Sequence, residues 1–305
     1  MKPPGRLSLI LVAAVAGCAP PSVPPPPPTP LPPPVAIRPL ERVDDNAFAF
    51  QGALAQGGYA IGQAPPDAIS VTLDGRQVML APNRRFALGF NRDAQERSTV
   101  EARMADGSRL IARIRIAQRR YDVQSIPGLP GRSQPSPEYE RLRKAERARI
   151  VEARAQRNAS DGWQQRWIWP VIGRMSGVYG SQRVLGGVPR NPHYGVDIAV
   201  PSGTPIVAPA DGVVALASPP QFSLEGNLVI IDHGMGVNTA YLHLSRVDVR
   251  RGERVRRGQR IGTVGTTGRS TGPHLHWAVN WLDQRLDPEL VAGTMPGASR
   301  RGDDG

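Results

Sequence analysis

The sequence predicts a mostly β protein, two β-rich parts joined by one helix, and three observations carry that prediction. Short runs bounded by Gly, Pro or Asp-Gly pairs, several alternating with a period of two, fill residues 46–124 and 169–286. Only one long stretch between them, Glu138 to Arg157, lacks Gly and Pro while mixing Glu with Arg. Glycine and proline are abundant, 33 and 32 of 305 residues, and they punctuate the gaps between runs. At 40% hydrophobic, the chain can fill two ordinary cores.

Taken in order, residues 1–18 read as a leader. Lys2 and Arg6 precede the apolar run Leu7 to Ala16, which is shorter than the roughly 20 residues a permanent spanning helix needs. Val15-Ala16-Gly17-Cys18 resembles the lipobox of bacterial lipoproteins, which implies an exported protein lipidated at Cys18 and held to a membrane. Ala19 in place of an acidic residue fits retention at the outer membrane of a Gram-negative cell, hence a periplasmic location. Cys18 is the only cysteine, so no intrachain disulfide is expected. Residues 19–40 are proline-rich and should be a stiff polyproline II spacer at about 3.1 Å per residue.

Residues 41–125 are expected to form a small antiparallel, sandwich-like β-domain. Asp67 to Leu73 and Arg76 to Leu80 flank Asp74-Gly75, a hairpin signal. Phe86 to Phe90 reads as a strand, and Thr99 to Met104 with Arg109 to Ala117 makes a second hairpin around Asp106-Gly107. This region holds no histidine or cysteine, so binding or spacing is its default role.

Residues 126–165 are expected to be a linker plus the helix Glu138 to Arg157, with i,i+3 pairs Glu138/Arg141 and Glu146/Arg149. Its apolar stripe is thin, which predicts a solvated connector. Read instead as a regulatory arm, it would bring Asn158 to a metal. Residues 166–290 should be all-β, with strands over Pro205 to Ala208, Gly212 to Ala217, Asn227 to Asp232, Thr239 to Leu244, Arg260 to Val264 and Leu275 to Asn280. A flexible tail is expected at 291–305.

All five histidines, His193, His233, His243, His274 and His276, fall within this last β part. His274-Leu275-His276 on a strand sends two imidazoles to one face. A catalytic zinc site takes three protein ligands and keeps a position for water. His193, Asp197 and one imidazole of the pair supply that count. The other imidazole and His243 remain to handle water and substrate. Oxygen and nitrogen donors without thiolate suit Zn²⁺.

The set His193-Tyr194-Gly195-Val196-Asp197-Ile198, Gly203-Thr204-Pro205, Asp211-Gly212-Val213-Val214, Ile231-Asp232-His233-Gly234, Tyr241-Leu242-His243-Leu244-Ser245 and Thr271-Gly272-Pro273-His274-Leu275-His276 resembles the lysostaphin-like (LytM-type) zinc endopeptidases, metallopeptidase family twenty-three. The resemblance covers residues from about 169 to 288 and implies an all-β peptidase domain built on a duplicated hybrid motif. It implies His193, Asp197 and His276 as zinc ligands, and His243 and His274 as the catalytic pair. It also implies peptidoglycan as substrate, with zinc-bound water as nucleophile and histidine as general acid and base. His233, Asp211 and Asp232 read as structural turn residues.

Two rivals are weighed beside it. The hairpin Val255 to Gly262 resembles those of lipoyl- or biotinyl-type carriers, but no lysine follows Lys144 to be modified. A non-catalytic activator of another murein hydrolase is the alternative, disfavoured because ligands and catalytic histidines are all present. The net charge of +12 is nearly all arginine, scattered among acidic residues, so no nucleic-acid partner is expected.

Overall fold

Alternation builds the first part of the structure. The computed structural model describes residues 41–126, 135–185 and 187–297. The expected leader with Cys18, the proline-rich spacer, residues 127–134 and the end of the tail lie outside the described residues. Eight strands come first: β1 Glu41–Val43, β2 Ala49–Gly52, β3 Tyr59–Gln63, β4 Ala68–Leu73, β5 Arg76–Val78, β6 Arg85–Gly89, β7 Arg97–Met104 and β8 Arg109–Arg115. They form a five-stranded sheet, β1-β8-β7-β4-β5, and a three-stranded one, β2-β3-β6.

Val71, Leu73, Val78, Val100, Ala102, Ala112 and Ile114 point inward, and the residues between them stay at least partly exposed. Asp74 and Gly75 both take positive φ, 49° and 78°, the two-residue turn that matches the twist of a hairpin. The part is not wholly antiparallel, because β1 pairs in parallel with β8. β1 is exposed along its whole length, so no burial pattern announced it.

After β9 (Val123–Ile126), helix α1 spans Pro137–Ala155. Ser136 caps it by accepting from the Tyr139 N–H, Pro137 opens it, and Glu138 and Glu140 occupy the first turn. The solvated connector expected here is corrected by the structure. Arg143, Glu146, Ile150 and Ala153 are buried. Ile150 and Ala153 pack on Ala215, Leu228, Ile230, Ala240 and Ala278, and the small sheet residues let a narrow stripe seat the helix. Glu146 pairs with Arg143 at 2.5 Å instead of Arg149, whose guanidinium sits 4.5 Å from the Phe222 ring centre. Asn158 is held by Asp232. Its backbone N–H and side-chain amide donate to the Asp232 carboxylate at 2.6 and 3.0 Å.

The remaining strands are β10 Arg174–Gly177, β11 Gln182–Leu185, β12 Val188–Pro189, β13 Val196–Ala199, β14 Pro205–Val207, β15 Gly212–Ala217, β16 Asn227–Asp232, β17 Val237–Leu244, β18 Arg246–Val247, β19 Arg254–Val255, β20 Arg260–Thr263, β21 Leu275–Trp281 and β22 Gln284–Leu286, with helix α2 at Pro288–Ala292. The main sheet runs β10-β13-β21-β17-β16-β15-β19, with β22 on β21.

Its two faces are used differently. Val229, Ile231, Tyr241, Trp277 and Val279 join Trp163, Trp167 and Trp169 in a core that continues into the first β part. The Tyr59 hydroxyl donates to the Trp163 carbonyl at 2.7 Å, and a side chain at Gly89 would meet the Trp281 Cβ at 2.7 Å. The opposite face carries α1 and, beside it, the histidines. The fold is therefore mostly β, as its periodicity predicts.

Candidate metal centre

β13 and β21 are antiparallel neighbours, and their register sets Asp197 directly opposite His276. Opposed residues share a face, and His274, two residues earlier, shares it too. His193 reaches the same point from the loop before β13. Its Nε2 lies 3.2 Å from Asp197 Oδ1 and 3.1 Å from His276 Nδ1, and His276 Nδ1 lies 2.8 Å from the same Oδ1. One donor atom from each of the three falls within 4.8 Å of the others. A tetrahedral centre with bonds of about 2.0–2.1 Å places its donors about 3.3 Å apart, so two nitrogens and one oxygen at these separations fit a zinc ion.

His243 needs a special device to join them. Leu242 lies opposite His276, so strict alternation would turn His243 to the other face. The ladder between β16 and β17 shifts register near this point, and His243 takes φ 66°. Such a bulge re-aims a side chain, and the His243 ring centre comes to 4.9 Å from that of His274. His274 Nε2 is 3.9 Å from Asp197 Oδ1.

Three of the imidazoles are anchored alike. Nδ1 of His193 lies 3.0 Å from the Val178 carbonyl, that of His243 2.8 Å from Thr267 O, and that of His274 2.8 Å from Gly272 O. A carbonyl only accepts, so each Nδ1 carries a proton; in the neutral rings of His243 and His274 this leaves Nε2 as the acceptor, while Nε2 of His193 faces Asp197 Oδ1. Two glycines make room. A Cβ at Gly177 would stand 2.5 Å from Asp197 Oδ2, and one at Gly195 would stand 2.8 Å from His276 Nε2.

Burial lowers the proton affinity of His276 despite the Asp197 carboxylate beside it. Burial also lowers that of His243, reinforced by the neighbouring His274 and His276 although Thr267 O opposes it. His193 goes the other way, because burial is outweighed by the hydrogen bond and charge of Asp197. Asp197 is itself held far below the ordinary carboxylate range: burial opposes ionisation, but His193 and His276 more than compensate.

The five side chains line one cleft of about 1470 Å³. Its walls include backbone the sequence did not flag. β9 adds in parallel to β11, which pairs with β12, and Asp122 and Gln124 face the cleft from that added edge. Glu225, also on the wall, accepts the His243 backbone N–H at 2.9 Å. Backbone acceptors such as Val178 and Thr267 leave no signature in side-chain type, so sequence reasoning had no means to find them.

The fifth histidine stands apart. His233 is fully buried, its Nδ1 2.7 Å from Asp211 O and its Nε2 2.8 Å from Thr239 Oγ1, with its ring 4.7 Å from that of Trp167. Burial pushes its pKa down to about 4. Asp232 accepts the Gly234 N–H at 3.0 Å within its own turn, whereas Asp211 accepts the N–H of Arg257, 46 residues away, at 2.7 Å.

Residues 191–288 match the profile of Peptidase family M23. Over 86 residues the chain is 51% identical to the peptidoglycan DD-endopeptidase ShyA of Vibrio cholerae, and over 104 residues 46% identical to the DD-carboxypeptidase/endopeptidase Mpg of Neisseria meningitidis. These stretches are 28% and 34% of this chain, and only 20% and 24% of those relatives' own lengths. The crystal structure of a Pseudomonas aeruginosa protein described as a peptidase M23 matches with a TM-score of 0.59 at 29% identity, over 78% of this chain and 94% of that one. The five converging side chains thus all fall within residues 191–288, the stretch that matches Peptidase family M23.

Proposed function

We propose that this chain is a zinc-dependent endopeptidase that hydrolyses the cross-link or stem peptides of peptidoglycan. The observation that carries the reading is the convergence of His193 Nε2, Asp197 Oδ1 and His276 Nδ1 beside two further imidazoles in an open cleft. The similarity to proteins named peptidoglycan DD-endopeptidase supports the substrate class. His193, Asp197 and His276 would hold the ion. Zinc in a site of this donor set supplies Lewis acidity and an activated water.

The chain's own groups supply the proton handling. His243 Nε2 and His274 Nε2 face the cleft as bare lone pairs, each ring fixed by its Nδ1–H on a carbonyl. Burial keeps His243 neutral near pH 7, the form in which it takes a proton from water. Once protonated, the pair can donate to the leaving amine or hydrogen-bond the developing oxyanion. The sequence reading of residues 1–18 extends the proposal to a periplasmic protein held to a membrane through lipidated Cys18.

The test is mass spectrometry of muropeptides after incubating peptidoglycan with the purified protein and zinc. Wild type should cleave stem-peptide cross-links. His276→Ala should lose both zinc and cleavage, and His243→Ala should keep zinc and lose cleavage. Undiminished cleavage by His276→Ala would overturn the ligand set. A wild type that holds zinc and never cuts would favour the activator alternative.

A further inference from the structure

The metal ligand His193 hangs on a short turn, and that turn is gripped from outside the M23 domain. Three hydrogen bonds tie His193 to Val178–Ser181: Nδ1 to Val178 O at 3.0 Å, the Gly180 N–H to His193 O at 2.8 Å, and the His193 N–H to Ser181 O at 2.8 Å. The turn follows β10, which is the edge strand of the main sheet. An edge offers ladder bonds on one side only, so the turn's position depends on what packs against its free side.

Arg92, in the loop between β6 and β7, packs there. Its Nε donates to Gly180 O at 2.8 Å, and its Nη1 to Asp93 Oδ1 at 2.7 Å. Its guanidinium carbon lies 4.6 Å from the Tyr121 ring centre, and only 11% of its side chain is exposed. Tyr121 closes on the same residue. Gly180 takes φ 80°, and a Cβ there would stand 2.1 Å from Tyr121 Cδ1, so only glycine fits between turn and ring. The Tyr179 ring meets Tyr121 edge-on at 6.1 Å, and its hydroxyl donates to Arg285 O at 2.7 Å.

We infer that the N-terminal β part serves the metal centre, with Arg92 as a positioning residue that fixes the Val178–Ser181 turn and through it His193. The β part is otherwise without chemistry, and this contact gives it a role in catalysis without touching substrate. The inference rests on the zinc reading above. Groups that orient a ligand typically change metal affinity by about 10- to 100-fold, and Arg92 acts one link further out, so about tenfold is expected.

The experiment is competition for zinc between the full chain and a chromophoric chelator, alongside thermal unfolding of the metal-free proteins. Arg92→Ala should weaken zinc binding about tenfold, and Arg92→Lys, which keeps the charge but not the guanidinium geometry, should fall between. Arg76→Ala breaks a different contact between the two parts, the Arg76–Asp283 pair at 2.5 Å, and should leave zinc affinity unchanged. Wild-type affinity in Arg92→Ala overturns the inference, as does an equal loss in Arg76→Ala, which would mark a general loosening. If Arg92→Ala fails to fold, the comparison of Arg92→Lys with Arg76→Ala decides by the same criteria. A wild type that binds no zinc removes the metal reading itself, a result separable from any difference among variants.

Discussion

Gly177→Ala probes the candidate site without removing a single donor atom. Gly177 lies on β10 opposite Asp197, and a methyl group there would stand 2.5 Å from Oδ2 and 3.0 Å from Cγ of that carboxylate. Ordinary contact begins near 3.4 Å, so relief requires a displacement of about 0.9 Å. Metal–ligand distances hold to about ±0.2 Å. The carboxylate must therefore swing off its position, or β10 must bend away and carry the Val178 acceptor of His193 with it. Either path degrades one of the three proposed ligands. Zinc affinity should fall about 10- to 100-fold, or about 1.4–2.7 kcal/mol. Chelator competition at fixed pH measures it, with far-ultraviolet circular dichroism confirming the fold. Unchanged zinc affinity in a folded Gly177→Ala protein would refute the assignment of Asp197 as a ligand held in this geometry.

Two further outcomes follow from the neighbourhood of the site. Arg143 on α1 binds Glu225 at 2.7 and 2.9 Å and Glu146 at 2.5 Å, while Glu146 holds Ser223. The clamp fixes the loop whose Glu225 carbonyl receives the His243 N–H, so Arg143→Ala should lower kcat at unchanged zinc affinity and destabilise by about 3 kcal/mol, measured by muropeptide release and urea unfolding. His233 is buried neutral with a pKa near 4 against 6.5 in the unfolded chain. The unfolded state therefore binds the extra proton first, so this stability is complete above pH 6.5, shrinks as pH falls and is gone below about pH 4, on the order of 3 kcal/mol in all. Urea unfolding of the metal-free protein at pH 7 and pH 4.5 should show that loss in wild type, and a His233→Gln variant should lack it.

By itself the sequence determined the fold class, because inward and outward alternation is a local property of each strand and turn residues such as Asp74-Gly75 mark their own positions. It also singled out His193, Asp197, His243, His274 and His276, since metal and proton chemistry needs those side-chain types and all five histidines of the chain fall in one β part. Only the tertiary structure decided how they meet. The register of β13 on β21, the bulge that turns His243 and the carbonyls of Val178 and Thr267 arise from backbone placed by other segments of the chain. The burial of α1 was hidden for a similar reason. Its stripe is narrow, and whether Ile150 and Ala153 find a partner depends on the alanines of a sheet that begins some twenty residues later in the chain. The grip of Arg92 on Gly180 spans 88 positions, and nothing in either residue's own neighbourhood along the chain foretells it.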